Sequence, residues 1–169
     1  MNQFERTLCI LHEADVALVL IGGAAMTAHG SAYVTDDLDL CYESTRDNIE
    51  KLVKALAPHH PRLRGAPIDL PFHFDVSTVQ RGLNFTLATD LGDIDLLGEV
   101  AGLGTYRDVL AASITLDLFG RTCQVLSLDG LIKSKRAAGR GKDLEALPEL
   151  EALREMQARQ MPGGRDQRS

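Results

Sequence analysis

V-L-I-G-G-A-A-M-T-A-H-G-S-A-Y-V-T-D-D-L-D-L occupies residues 19–40. The apolar run Val16 to Ile21 is too short for a helix and reads as a buried strand that stops at Gly22-Gly23. Ala24 to Gly30 has little polarity, is compatible with a helix and ends on a glycine. Asp37-Leu38-Asp39-Leu40 then alternates strictly, which places both carboxylates on one face of a strand and both leucines on the other. Like charges this close repel, and they are tolerated mainly where a cation neutralises them. A Gly-Gly pair lets backbone N–H groups approach a phosphate at the start of a helix whose dipole favours an anion. A phosphate cradle and paired carboxylates in one strand–helix–strand unit point to a nucleotide site.

A second pair of acids follows the same rule. Gly82 to Thr89 alternates apolar and polar residues, Asp90-Leu91-Gly92 makes a turn, and Asp93 to Leu97 forms the return strand of a hairpin. Ile94 and Leu96 share the buried face, so Asp93 and Asp95 share the other.

With these residues in place, the chain resembles the minimal nucleotidyltransferase domain of the DNA polymerase beta-like superfamily. That signature is a Gly-Gly ending the first strand, an Asp-x-Asp on the next, and a third Asp between apolar residues on a later strand. Here these are Gly22-Gly23, Asp37 and Asp39, and Asp95, with Asp93 as the alternative third acid. The resemblance implies an α/β (α+β) fold with a mixed, mostly antiparallel sheet flanked by helices and followed by C-terminal helices. It implies Mg²⁺, with Mn²⁺ as its substitute, held by Asp37, Asp39 and Asp95, and NTP phosphates held by Gly22 and Gly23. It also implies a basic residue on a later helix that contacts phosphate: Lys135, with Lys133 as runner-up. A-A-G-R-G-K-D-L, residues 137–144, resembles an element that follows the core in bacterial families, including abortive-infection and toxin–antitoxin transferases. Arg140, Lys142 and Asp143 belong to it, Arg140 as a further nucleotide-binding candidate. The implied reaction moves an NMP from an NTP to an acceptor hydroxyl, with tRNA or protein preferred and a partner subunit or homodimer completing the cleft. The alternatives are an aminoglycoside-type antibiotic transferase and a non-catalytic nucleotide-binding antitoxin or regulatory module.

Composition is compatible with this. At 169 residues, 44% apolar and 25% charged, the chain is one ordinary globular domain. It has no Trp and only 5% aromatic residues, so aromatic base-stacking platforms are not expected. Residues 1–130 carry nine Lys/Arg against eighteen Asp/Glu, while 131–169 carry nine against six: an acidic body with a basic C-terminal arm. Cys9, Cys41 and Cys123 are isolated and read as reduced, buried thiols. No signal peptide precedes residue 16 and no apolar run spans a bilayer, so the expected location is cytoplasmic, without membrane contact.

The remaining elements follow by periodicity. A helix over residues 3–14 buries Phe4, Leu8 and Leu11, and another over 46–57 is introduced by Ser44-Thr45 and stopped by Pro58. Residues 58–71, rich in Pro and Gly, form a loop whose His59-His60 lacks metal-ligand partners; 75–80 is a short capped helix. His29 packs or caps, Thr35 is placed to orient a carboxylate, and Asp36 is a loop or cap residue. Gly98, Gly102 and Gly104 mark a glycine-rich exit. Residues 114–119 and 122–126 make a hairpin around Gly120-Arg121, Ser127 caps a helix, and 144–159 form a final helix. The expected division is a catalytic core over 1–126, a helical extension over 127–160 packed on it, and a disordered tail over 161–169.

Overall fold

The computed structural model describes residues 1–32 and 35–160; Tyr33, in the link before the acids, and the 161–169 tail lie outside the described residues. In chain order the elements are α1 (Gln3–Glu13), β1 (Leu18–Leu20), α2 (Gly22–Ala28), β2 (Asp37–Tyr42), α3 (Arg46–Leu56), β3 (Arg62–Leu63), α4 (Val76–Arg81), β4 (Asn84–Thr89) and β5 (Gly92–Leu97). There follow β6 (Glu99–Val100), β7 (Gly104–Thr105), α5 (Tyr106–Ala111), β8 (Ser113–Leu118), β9 (Arg121–Leu126), α6 (Leu128–Ala138) and α7 (Gly141–Gln160). Seven strands form one sheet in the order β3-β4-β5-β2-β1-β9-β8, and β6-β7 form a separate ribbon. Within the large sheet β2/β5 and β1/β9 pair in parallel and the other four pairs are antiparallel. The mixed, mostly antiparallel sheet with flanking and C-terminal helices is therefore present.

The core follows the alternation. Leu38, Leu40, Ile94 and Leu96 are buried, joined by Leu8 and Leu11 of α1, Ile49 and Leu52 of α3, and Leu128, Leu131 and Ile132 of α6. Phe4 packs only partly, edge-on to Phe119 with ring centroids 5.9 Å apart. Caps sit where the sequence puts them: Thr45 accepts from Asn48 N, Asp75 from Thr78 N and Ser127 from Gly130 N. Asn48, buried at the start of α3, accepts from Ala17 N and donates to the Ala17 and Glu43 carbonyls, pinning the outer ends of β1 and β2.

Four expectations change. The 58–71 segment is not all loop, because Arg62 and Leu63 add an edge strand to β4. The glycine-rich exit folds into the β6–β7 ribbon and then α5, whose start is fixed by a Thr105/Asp108 capping box. The last helix begins three residues earlier than its apolar pattern, at Gly141, and continues through Pro148, which has no N–H to donate to the preceding turn. Of the three free thiols only Cys41 is buried, its pKa pushed up to about 12 by that burial; Cys9 and Cys123 are half-buried. Among the described residues no helix is long and apolar enough to cross a membrane.

Candidate active site

The parallel register of β2 and β5 sets Asp37 beside Asp93 and Asp39 beside Asp95. With a side-chain period of two, all four carboxylates stand on one face of the sheet, opposite the leucines and Ile94 that enter the core. Asp39 is the most deeply set. Its carboxyl is raised from 3.8 to about 7, first by burial and then by its contact with Asp95, against a smaller lowering from the Gly23 N–H. Thr35 holds the backbone of Asp37, donating to its carbonyl (3.0 Å) and accepting from its N–H (3.2 Å), and does not orient the carboxylate. Asp36 is a bend residue ahead of the strand.

Gly22 and Gly23 meet Asp39 directly. Ile21 N donates to the Asp39 carbonyl (3.1 Å) and Gly23 N to Asp39 Oδ2 (3.3 Å). Gly22 has φ +56°, and a Cβ there would lie 2.2 Å from Asp39 Oδ2. Both its left-handed backbone and the carboxylate against it therefore require glycine. The pair shapes the seat of an acid as well as the entrance to α2.

Arg64 is the residue that sequence inspection overlooked. Edge strand β3 leads into it, and its N–H donates to the Thr86 carbonyl (2.9 Å), which holds the residue beside β4. Nη2 donates to the Leu87 carbonyl and to Asp95 Oδ1, both at 2.8 Å. Nη1 lies 3.8 Å from Asp37 Oδ2; Nε lies 3.3 Å from Asp93 Oδ2 but makes no aligned hydrogen bond. One guanidinium thus touches three of the four acids. The available signal was the Arg-Leu-Arg alternation at 62–64, together with the need of four like charges for a cation.

The opposite wall comes from α6 and α7. Gly139, at φ +66°, ends α6 with its N–H on the Lys135 carbonyl (3.0 Å), and the chain turns at once into α7. Asp143, only 1% exposed, accepts from Lys135 Nζ (3.3 Å), Arg140 Nε (2.7 Å) and Arg140 N (3.2 Å). Burial pushes the Asp143 carboxyl up, but the Arg140 and Lys135 hydrogen bonds outweigh it and hold the group below its ordinary value. The Asp143 hydrogen bond in turn raises Arg140. His29 is structural: Nε2 bonds the Leu126 carbonyl (2.9 Å) and Nδ1 faces Gln157 Nε2 (3.1 Å).

Two hollows flank the Asp39–Asp95 pair. One, of about 380 Å³, is lined by Gly23, Asp37, Asp39, Asp95, Lys135 and Arg140, together with Lys142 and Glu145. The other, of about 290 Å³, shares Asp39, Asp95, Lys135 and Arg140 and adds Gly22 and an apolar wall of Ile21, Leu97 and Val100. Lys133 lines neither; it is exposed, two positions round α6 from Lys135, so the helix turns it away from the acids. Asp93 borders a different hollow, beside α1.

All-oxygen carboxylate donors suit Mg²⁺. Four acids with one guanidinium that touches three of them, the fourth, Asp39, being raised to about 7, form a face short of positive charge. Among the described residues, no group of three or more His, Cys, Asp and Glu side chains is arranged so that it could hold a metal ion. The Asp37 and Asp39 pair suits a divalent ion in donor type and charge, while Asp95 is engaged by Arg64.

No family profile and no curated protein matches this chain. Solved structures do. A candidate nucleotidyltransferase from Thermotoga maritima (TM1012) superposes with a TM-score of 0.54 at 14% identity, over 95% of this chain and 97% of that one. The antibiotic-resistance factor ANT(2'')-Ia superposes with a TM-score of 0.49 at 16% identity, over 93% and 90% of the two chains. The chain has the fold of the minimal nucleotidyltransferase domains.

Proposed function

We propose that this protein transfers an NMP from an NTP to an acceptor hydroxyl, releasing pyrophosphate. The observation that carries it is the convergence of Asp37, Asp39 and Asp95 with Gly23, Lys135 and Arg140 on one hollow. Asp37 and Asp39 are the ligands for Mg²⁺, or Mn²⁺ in its place. A divalent ion bound there supplies positive charge that offsets the triphosphate and the leaving pyrophosphate. Lys135 and Arg140, aimed by the buried Asp143, contact phosphate oxygens, and the Gly22–Gly23 backbone passes close enough for a phosphate to approach. Asp95, beside Asp39, takes the acceptor hydroxyl's proton. Catalysis comes from positioning and charge.

The acceptor we favour is tRNA or protein, on the resemblance of the Arg140–Asp143 element to toxin-type transferases. The test is transfer of label from each α-labelled NTP, with Mg²⁺, into total tRNA, into the protein itself and into a cell extract. Asp37→Asn/Asp39→Asn serves as control. Label incorporated by the wild type and absent with the control is expected. No transfer, with Mg·NTP still bound, would instead identify a regulatory nucleotide-binding module.

A further inference from the structure

Arg64 does more than a surface cation could. Its side chain is 26% exposed and is tied at both ends, by its backbone N–H to Thr86 and by Nη2 to the Leu87 carbonyl, so the guanidinium is part of the sheet edge. It reaches Asp95, Asp93 and Asp37; Asp39 is the acid it does not reach. The Asp95 oxygen that accepts from Nη2 at 2.8 Å has that direction filled by a donor and is not open there to a metal ion. Lys135 and Arg140, the two cations shared by both hollows, are engaged by Asp143. A guanidinium keeps its charge at any physiological pH and spans two carboxylates with a planar fork.

We propose that Arg64 is the built-in second cation of this site: the chain takes one divalent ion, at Asp37 and Asp39, and Arg64 stands where another would have to sit to neutralise Asp93 and Asp95. The proposal rests on the metal-assisted transfer above and revises Asp95 from a shared metal ligand to a partner of Arg64. It gives the edge strand β3 a positioning role, because the strand's pairing sets the guanidinium at the height of the acids.

The test reads the ion, not the reaction. Mn²⁺ alone, without nucleotide, is titrated into the full chain by electron paramagnetic resonance and calorimetry. The wild type is expected to bind one ion. Arg64→Gln, which frees Asp93 and Asp95 and removes the positive charge 3.8 Å from Asp37, is expected to bind two, or one roughly tenfold more tightly. Arg64→Lys should stay close to wild type. If Arg64→Gln does not fold, Asp93→Asn replaces it and should retain the single ion, since Asp93 serves Arg64. Two ions in the wild type, an Arg64→Gln curve that superposes on wild type, or loss of the ion in Asp93→Asn would each overturn the proposal. No ion in the wild type would overturn both this and the metal-assisted function. One ion bound with the Arg64 response intact but no label transferred would reject the transferase function and leave the role of Arg64 standing.

Discussion

Asp39→Asn should make the metal-free protein more stable at pH 8 while abolishing the proposed NMP transfer. Asp39 is raised to about 7, by burial first and by Asp95 next, so the folded chain retains a proton that the unfolded chain releases near pH 4. The sign follows from linkage: this group's contribution is fully present below about pH 4 and is lost as pH rises through about 7. A carboxyl moved from 3.8 to about 7 corresponds to at most about 4 kcal/mol. Part of that shift comes from the contact with Asp95 and not from burial alone, so about 2 kcal/mol is expected between pH 5 and 8, or roughly 4–8 °C in Tm for a chain of this size. Asparagine keeps an oxygen for the Gly23 N–H and carries no charge to desolvate. Thermal melts of wild type and Asp39→Asn in EDTA at pH 5 and pH 8 should therefore converge at pH 5 and separate at pH 8, with the variant higher. Adding Mg²⁺ at pH 8 should raise the wild type only. An Asp39→Asn that melts below wild type at pH 8, or that shows the same fall between the two pH values, would refute the account of the acid pair.

Gly22→Ala should cost about 2–4 kcal/mol in urea unfolding and weaken Mn²⁺ binding, because the new Cβ meets Asp39 and the residue sits in the left-handed region. Gly30→Ala, at φ +96° with nothing within 4 Å, is the matched control and should lose only about 1 kcal/mol, with Mn²⁺ affinity unchanged. Asp143→Asn should destabilise by about 2 kcal/mol, below the usual cost of breaking a buried pair because Arg140 is well exposed to solvent. It should also weaken binding of a fluorescent NTP analogue several-fold; wild-type affinity in that variant would show that Asp143 does not aim Lys135 and Arg140.

Much of this molecule could be read from local pattern. D-L-D-L and D-I-D-L each state which side chains face the core, because a strand's period is two and the apolar member of each pair has nowhere else to go. Thr45, Asp75 and Ser127 announce helix starts by the same kind of short-range chemistry, an oxygen three residues ahead of an unsatisfied N–H. Gly139 is the matching stop signal at the far end of α6. By contrast α5 hides in a six-residue stretch too short to show a period, and β3 is two residues long amid Pro and Gly.

Periodicity assigned each acid to a face; the parallel pairing of β2 with β5 made one cluster of them, and register is set by contacts that no window of sequence contains. Arg64 lies thirty-one residues from Asp95 along the chain, and only the addition of β3 to the sheet edge carries it there. Lys133 and Lys135 look alike in the sequence; the rotation of α6 against the core turns one into the hollow and the other out of it. Gly22 was legible as a glycine that matters, but the reason it matters, the Asp39 carboxylate pressed against its missing side chain, exists only once β1 and β2 are side by side. Spacing along one element is local and survives in the sequence, whereas the meeting of charges from different elements is a product of packing.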